Sequence, residues 1–327
     1  MTELNPSFFL DQDASLSSEE VASLFTATFQ RPFNHTYWQW RFYDNPVCRG
    51  KPQIAYARTD GMVIAYYAVS PILVNAGGKV VKGALSNMTM THPAFEGKGL
   101  FRSLAKLLYD VLEAEQYRMV LGFPNFRSHY SFVTHLGWRN ISEVVLLILK
   151  QEVALAMIKK LDLSQTKVRW VDLSERIIEE ISGSFAEGLP LDDGLMSARR
   201  DPEWLWWRIG LHPAHRYKVL TIESANGKRW FAIGKYYEDG FDLLEISGTI
   251  ISSDGLASLC RFLFSEGVKF ITTWLPLWYS EFPLYERTGF TPTTVHSYFC
   301  ARHLGNSEAL DTDRRRWRCS MLDSDVF

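Results

Sequence analysis

Thr91-His92-Pro93-Ala94-Phe95-Glu96-Gly97-Lys98-Gly99-Leu100-Phe101-Arg102 is the stretch on which the fold turns. Residues 80–90 before it read as a strand. After Gly99, apolar side chains recur at Leu100, Phe101, Leu104, Leu107, Leu108, Val111 and Leu112, the 3.6-residue period of an amphipathic helix. A strand therefore runs into a glycine-bearing turn that opens a helix. Glycines there let the backbone approach a ligand closely. The unpaired N–H groups of the first helical turn, with the helix dipole, favour a pyrophosphate. The spacing is not G-x-x-x-x-G-K-[ST], which disfavours a nucleotide triphosphatase. Nor is it a G-x-G-x-x-G opening a βα unit, which disfavours a dinucleotide site. Gly-Lys-Gly alone is also compatible with a plain strand-to-helix turn.

Upstream, residues 53–57 and 62–69 read as a hairpin around Arg58-Thr59-Asp60-Gly61, and residues 72–75 and 80–90 as a second around Ala76-Gly77-Gly78-Lys79. Downstream, residues 119–122 form a short buried strand, residues 128–135 a helix and residues 144–149 a strand. Two phrases then recur. Trp40-Arg41-Phe42-Tyr43-Asp44-Asn45-Pro46 is echoed by Trp207-Arg208-Ile209-Gly210-Leu211-His212-Pro213, and Thr134-His135-Leu136-Gly137-Trp138 by Glu286-Arg287-Thr288-Gly289-Phe290. Each member of the second pair ends a helix with a C-cap glycine and an aromatic entering a strand. The later half repeats the order less fully: strands at 217–222, 229–234 and 241–246, a helix at 256–264 and a strand at 269–274. The reading is a duplicated α/β unit.

The loop resembles the acyl-CoA pyrophosphate loop of the GNAT superfamily of N-acyltransferases. The resemblance continues through Gly122-Phe123-Pro124-Asn125, Ser128 and the Leu136-Gly137-Trp138 ending. It is clear from about Asn87 to Arg139 and looser over residues 20–150. It implies an α/β (α+β) chain of two tandem GNAT-like domains, each a mixed, largely antiparallel sheet flanked by helices. The expected divisions are 1–152 with the acyl-CoA loop, 153–304 as a degenerate copy, and 305–327 as a C-terminal tail. Two departures matter. Glu96 and Phe101 stand where the family has Arg or Gln and Gly or Ala, so Glu96 is expected to point away from the phosphates. Many relatives carry a Tyr four residues before the corner glycine; Val133 stands there, while the later half has Tyr285 but Ser252-Ser253-Asp254-Gly255 in place of the loop. Tyr285 reads as a structural remnant, or as reaching a ligand in a separate cleft.

The resemblance implies acetyl-CoA, or another acyl-CoA, as co-substrate. Its expected contacts are Met90, Thr91, Gly97, Lys98, Gly99, Leu100, Phe101 and Arg102, with Asn125 and Ser128 along the pantetheine arm. Direct attack of an amine on a thioester needs proximity, a polarised carbonyl and removal of a proton. A backbone N–H near Met90–Thr91 would polarise the carbonyl. No carboxylate lies on strand 80–90, so the base candidates are His92, His129, and a water held by Asn87 and Thr89. His92 reads more simply as a turn residue. His129 and Tyr130 start the helix beside the expected thiol, where either could act in catalysis or serve only in packing; an imidazole suits a base. Trp40 and Arg41 are acceptor-site candidates, against a packing role suggested by recurrence of their phrase without the loop.

The 327 residues carry 35 basic and 37 acidic side chains. This near balance gives no electrostatic footprint for nucleic acid or an anionic membrane, and disfavours aminoacyl transfer from a charged tRNA. The longest aliphatic run, residues 144–149, is far too short to span a bilayer, and no secretory signal is visible. Cys48, Cys260, Cys300 and Cys319 are widely spaced and read as reduced thiols of a cytoplasmic protein. His212 and His215 have helical spacing but no third ligand nearby, so no metal is expected. Arg314-Arg315-Arg316 reads as a solvated end without a partner strand. The resulting expectation is an N-acyltransferase, most simply an N-acetyltransferase, acting on a small-molecule amine or amino sugar. Nucleic acid and membrane insertion have no part in it, and a homodimer is left open. The alternative is a catalytically silent acyl-CoA-binding or scaffold protein.

Overall fold

The structure, a computed structural model, describes residues 6–11, 15–158, 163–188, 194–305 and 311–324. The chain divides into two compact units. The first comprises Met1–Val74, Val80–Ile141 and Tyr298–Thr312; the second comprises Asn75–Lys79, Ser142–Ser297 and Asp313–Phe327. A division at 152/153 and a free tail from 305 are therefore not how the units are drawn. Strands Arg139–Lys150 and Thr291–His303 each contribute to both units. Hydrophobic pattern identifies a strand but does not say which sheet it joins.

In the first unit, β1 (Ser7–Leu10), α1 (Ser18–Phe29) and α2 (His35–Phe42) precede β2 (Gln53–Thr59), β3 (Met62–Ala76) and β4 (Lys79–Thr91). Then come α3 (Leu100–Ala114), β5 (Met119–Gly122), α4 (Phe126–His135) and β6 (Arg139–Lys150). The strand order is β1-β2-β3-β4-β5, closed by the last residues of strand Thr291–His303. Pairs β1–β2 and β2–β3 are antiparallel, and β4–β5 is parallel. Asp60 and Gly61 both take positive φ (49° and 74°), as a two-residue hairpin turn requires. Helix α1 starts with a capping box, Ser17 with Glu20.

Residues 62–69 and 72–75, expected as separate strands, are one strand running through Ser70-Pro71. Side chains make this workable. The Ser70 N–H donates to Asn87 Oδ1 (3.1 Å), and the Pro71 carbonyl accepts from Asn45 Nδ2 (3.0 Å). Strand β3 shows the period-2 division of a sheet buried on both faces. Ala65, Tyr67 and Val69 pack with Leu104, Leu108 and Leu112 of α3, while Tyr66 and Ala68 pack with Val21, Leu24, Trp38 and Phe42 of α1 and α2.

The second unit continues with α5 (Gln151–Ile158), β7 (Lys167–Val171), α6 (Glu175–Gly188), β8 (Met196–Ala198) and α7 (Pro202–Leu205). Next come β9 (Lys218–Glu223), β10 (Arg229–Tyr237), β11 (Gly240–Ile246), α8 (Ser253–Ser265), β12 (Phe270–Trp274), α9 (Phe282–Thr288), β13 (Thr291–His303) and β14 (Trp317–Arg318). Its strand order is β6-β12-β11-β10-β9-β7. Again one pair, β11–β12, is parallel, while β6–β12, β10–β11, β9–β10 and β7–β9 are antiparallel. The corner glycines of the repeated phrase, Gly137 and Gly289, both have left-handed backbones (φ 68° and 105°), where a Cβ would be strained.

The end of the chain is not the solvated tail expected. Strand β14 pairs parallel with β8, and Met321 and Leu322 are buried. Within the arginine run, Arg315 pairs with Asp313 (2.7 Å) and Arg316 bonds the Gly194 carbonyl (3.1 Å). All four cysteines are free and buried. Among the described residues no helix is long and apolar enough to cross a membrane, and no group of three or more His, Cys, Asp or Glu is arranged to hold a metal.

Candidate active site

In the first unit, β4 and β5 run side by side from Gly83–Met119 to Ser86–Gly122. There β5 ends, while β4 continues to Thr91. Each strand then delivers its chain to a helix start, β4 to α3 and β5 to α4. Two positive helix ends thus follow the carboxyl ends of adjacent parallel strands, where open sheets bind anionic ligands.

The helix starts differ in what satisfies their amides. Helix α4 is closed by its own sequence: Asn125 Oδ1 accepts from the Ser128 N–H (3.1 Å), and Ser128 Oγ donates back to Asn125 Oδ1 (3.2 Å). Asn125 and Ser128 therefore make a cap. Helix α3 begins at Gly99, which makes no side-chain cap, so its first-turn N–H groups remain available to a ligand. Gly97 and Gly99 both have positive φ (73° and 74°), and a Cβ at either would meet nothing within 4 Å. The glycines are thus required by backbone conformation and leave an open approach to the amides. Lys98 lies with Nζ 5.1 Å from the Phe95 ring centroid, and Glu96 and Arg102 are exposed. Leu100 is buried in the core. Phe101, where the family has a small residue, packs edge-on to Tyr67 and Phe132 at 5.4 and 5.2 Å.

The corresponding helix of the second unit has no such start. Helix α8, which follows β11 as α3 follows β4, is capped by Ser252, whose Oγ accepts the Gly255 N–H (3.1 Å). A Cβ on Gly255 would lie 2.9 Å from Ile251. Its helix end is self-satisfied.

The candidates for chemistry are placed as follows. Met90 is buried among Val21, Trp38 and Tyr66, so only its backbone can face a ligand. The Thr91 carbonyl accepts from Thr28 Oγ1 (3.4 Å). His92 is a turn residue: its Nδ1 accepts the Ala94 N–H (3.2 Å). Asn87 accepts from Ser70, while its Nδ2 is buried and makes no hydrogen bond to a described residue. His129 stacks on Tyr298 with ring centroids 3.9 Å apart, and its Nε2 is likewise buried and bonds no described residue. Tyr130 is exposed and touches His135 edge-on. Trp40 and Arg41 are 4% and 2% exposed, the guanidinium 5.6 Å from the Trp40 ring centroid. Burial of this depth fits packing. Arg208, at the echoed position, is as deeply buried and donates to the Leu322 and Ser324 carbonyls. His212 Nδ1 accepts the Ala214 and His215 N–H groups and is thereby engaged locally. The Tyr298 partnership was not foreseen, since no local signal links a strand residue near the chain's end to a helix start at 129.

Residues 15–141 match the family described as Acetyltransferase (GNAT) domain. Over that stretch the chain is similar to a GNAT acetyltransferase domain. No curated protein matches the sequence, but solved structures share the fold across both units. A conserved Enterococcus faecalis protein described as a probable N-acyltransferase is 14% identical, covers 92% of this chain and 73% of its own, with a TM-score of 0.70. A GCN5-related N-acetyltransferase from Kribbella flavida is 13% identical, covering 91% and 72%, with a TM-score of 0.64. A tandem GNAT protein from the clavulanic acid biosynthesis pathway is 11% identical, covering 93% and 100%, with a TM-score of 0.58. The GNAT match ends at Ile141, where the first unit's continuous run also ends, and it contains the uncapped α3 start with its glycines.

Proposed function

We propose that the protein transfers an acyl group, most simply acetyl, from acyl-CoA to the amine of a small molecule or amino sugar. The observation that carries this is the uncapped N-terminus of α3 behind Gly97-Lys98-Gly99. Backbone amides of the loop and first helical turn would hold the pyrophosphate, with Lys98 and Arg102 adding positive charge. The bound thioester supplies the activated carbonyl. A backbone N–H near Met90–Thr91 would orient and polarise its oxygen, and the ends of β4 and β5 would hold the acceptor amine within reach. His129 is our candidate for removing the ammonium proton, with Asn87 holding a water as the other route; Tyr130 is retained as a candidate donor to the departing thiolate. Trp40 and Arg41 would then support the acceptor region from within α2. We read the second unit, most of it within Ser142–Ser297, as a degenerate GNAT-like copy. The buried reduced thiols suit the cytoplasm.

The test is release of free CoA thiol from acetyl-CoA against a panel of small amines and amino sugars. Turnover with at least one acceptor is expected, and none across a broad panel would sink the reading. Val133 and Phe101, in place of the family's Tyr and small residue, favour a silent acyl-CoA-binding protein as the second reading. Tight CoA binding without turnover would select it.

A further inference from the structure

Beyond the Ser86–Gly122 pair, β5 ends while β4 runs on to Thr91, so the two strands part at that level. On the α3 side of the sheet four aromatic rings stand in a row there. Tyr67 of β3 meets Phe101 edge-on at 5.4 Å, Phe101 meets Phe132 of α4 at 5.2 Å, and Phe132 meets Trp138 at 4.6 Å. The far end of the row reaches β5. A Cβ on Gly122 would lie 3.3 Å from the Trp138 ring, and the same distance from the Ser86 Cβ.

Hydrogen bonds fix both ends of this row. Trp138 donates its indole N–H to the Tyr109 hydroxyl (2.9 Å), and the Tyr109 and Tyr67 hydroxyls are 3.2 Å apart. Tyr67 in turn donates to Ser86 Oγ (3.1 Å). With the Tyr67 proton given to Ser86, Tyr109 is the donor between the two tyrosines, and the chain runs one way from indole to serine. Tyr67, Tyr109, Phe132 and Trp138 are all buried. Neither end swings aside without leaving a buried donor unmet. Phe101, half-buried in the first turn of α3, is held by ring contacts. It alone joins Tyr67 to Phe132 in the row, and it sits directly behind the open amides.

We propose that Phe101 is a specificity-determining residue that confines the transferred group to a short acyl chain. The inference rests on the reading of the α3 start as the pyrophosphate site and of Met90–Thr91 as the backbone that orients the carbonyl. A thioester arm joining those two places passes the parting of β4 and β5, with the aromatic row beside it. A long acyl chain gains affinity by burying its methylenes in apolar space, and here the Phe101 ring occupies the apolar space next to the parting. An acetyl group needs no such space. A small residue at 101 would leave a gap between Tyr67 and Phe132, open inward from the α3 start. Phe101 fills that gap and makes the row a closed wall, stiff because its two ends are hydrogen-bonded.

Calorimetric titration of the full chain with CoA, acetyl-CoA and octanoyl-CoA tests this without an acceptor. Acetyl-CoA is expected to bind at least about tenfold more tightly than octanoyl-CoA. Phe101→Ala should raise the ratio of octanoyl-CoA to acetyl-CoA affinity at least about tenfold, and Phe101→Leu, which keeps part of the volume, should raise it less. Octanoyl-CoA binding to the unmodified chain as tightly as acetyl-CoA overturns the proposal. So does an unchanged ratio in Phe101→Ala. Failure of CoA itself to bind the unmodified chain would overturn the reading of the α3 start, and the proposal with it, whereas the other two outcomes leave that reading standing. Should Phe101→Ala fail to fold, the unmodified chain and Phe101→Leu decide the matter.

Discussion

The imidazole of His129 lies on the ring of Tyr298, centroids 3.9 Å apart and planes 22° from parallel. Stacking fixes the ring plane, and a base must present its nitrogen in one direction to take a proton efficiently. If His129 is the base, His129→Ala should lower kcat at least about 100-fold while CoA affinity changes less than twofold. Tyr298→Phe keeps the stacking face and should keep most activity, whereas Tyr298→Ala should lower kcat and leave KM for acetyl-CoA nearly unchanged. Steady-state kinetics of the three variants check this. Full activity in His129→Ala would move the role to the water beside Asn87.

Gly99 and Ser252 make opposite N-caps, the first leaving its amides open and the second closing them. Gly99→Val forces a branched side chain into a left-handed backbone, at a cost of about 1–2 kcal/mol, and hangs it over the open amides. CoA affinity measured by calorimetry should fall at least tenfold. Ser252→Ala removes a cap, costs about 1 kcal/mol of stability, and should leave CoA affinity unchanged. A loss of CoA binding in Ser252→Ala, with Gly99→Val unaffected, would put the pyrophosphate in the second unit.

The strand, turn and helix that build the anion site were legible because each is a local pattern: strand, glycine turn and 3.6-residue period all lie within residues 80–112. The echoed Trp-Arg and Gly-aromatic phrases likewise exposed the doubled architecture, since both copies keep a buried arginine and a left-handed glycine. What sequence did not convey was long-range. Tyr298 reaches His129 through strand pairing with β5, and β14 finds β8. Short segments such as residues 317–318 carry too few residues for a period to register. The split expected at Ser70-Pro71 failed for a related reason. The rescue comes from Asn87 and Asn45, which are distant in sequence, while proline alone signals a break.

Burial holds all four cysteine thiols above their ordinary range, with Cys300 pushed up to about 12. Thiolate is the reactive form, so the folded protein should react with Ellman's reagent at well under one thiol per chain at pH 8, and at four after unfolding. The same shift sets a stability trend. In the unfolded chain these thiols ionise near 9, so above that pH the unfolded state binds fewer protons than the folded one. Stability is then fully present below about pH 9 and is lost as pH rises from there toward 12. Denaturant midpoints at pH 8 and pH 10 test the sign, and a higher midpoint at pH 10 would contradict it.

Trp138, the aromatic of the first corner, donates its indole N–H to the Tyr109 hydroxyl (2.9 Å), which also lies 3.2 Å from the Tyr67 hydroxyl. All three residues are buried. Tyr109→Phe keeps the ring but leaves the indole donor in a closed core without an acceptor, at a cost of about 1–3 kcal/mol. The Gly122 Cβ position lies 3.3 Å from the Trp138 ring, so a shift of that indole is felt at the end of β5, next to the proposed acyl site. Tyr109→Phe should therefore lower the denaturant midpoint and also raise KM for acetyl-CoA. Trp138→Phe removes the donor together with its need for an acceptor, but opens space in the core, and should cost stability through that cavity. In the double variant the two losses should fall short of their sum, because the unpaired indole of Tyr109→Phe is gone. A strictly additive double variant would mean that the hydrogen bond contributes nothing to holding the corner.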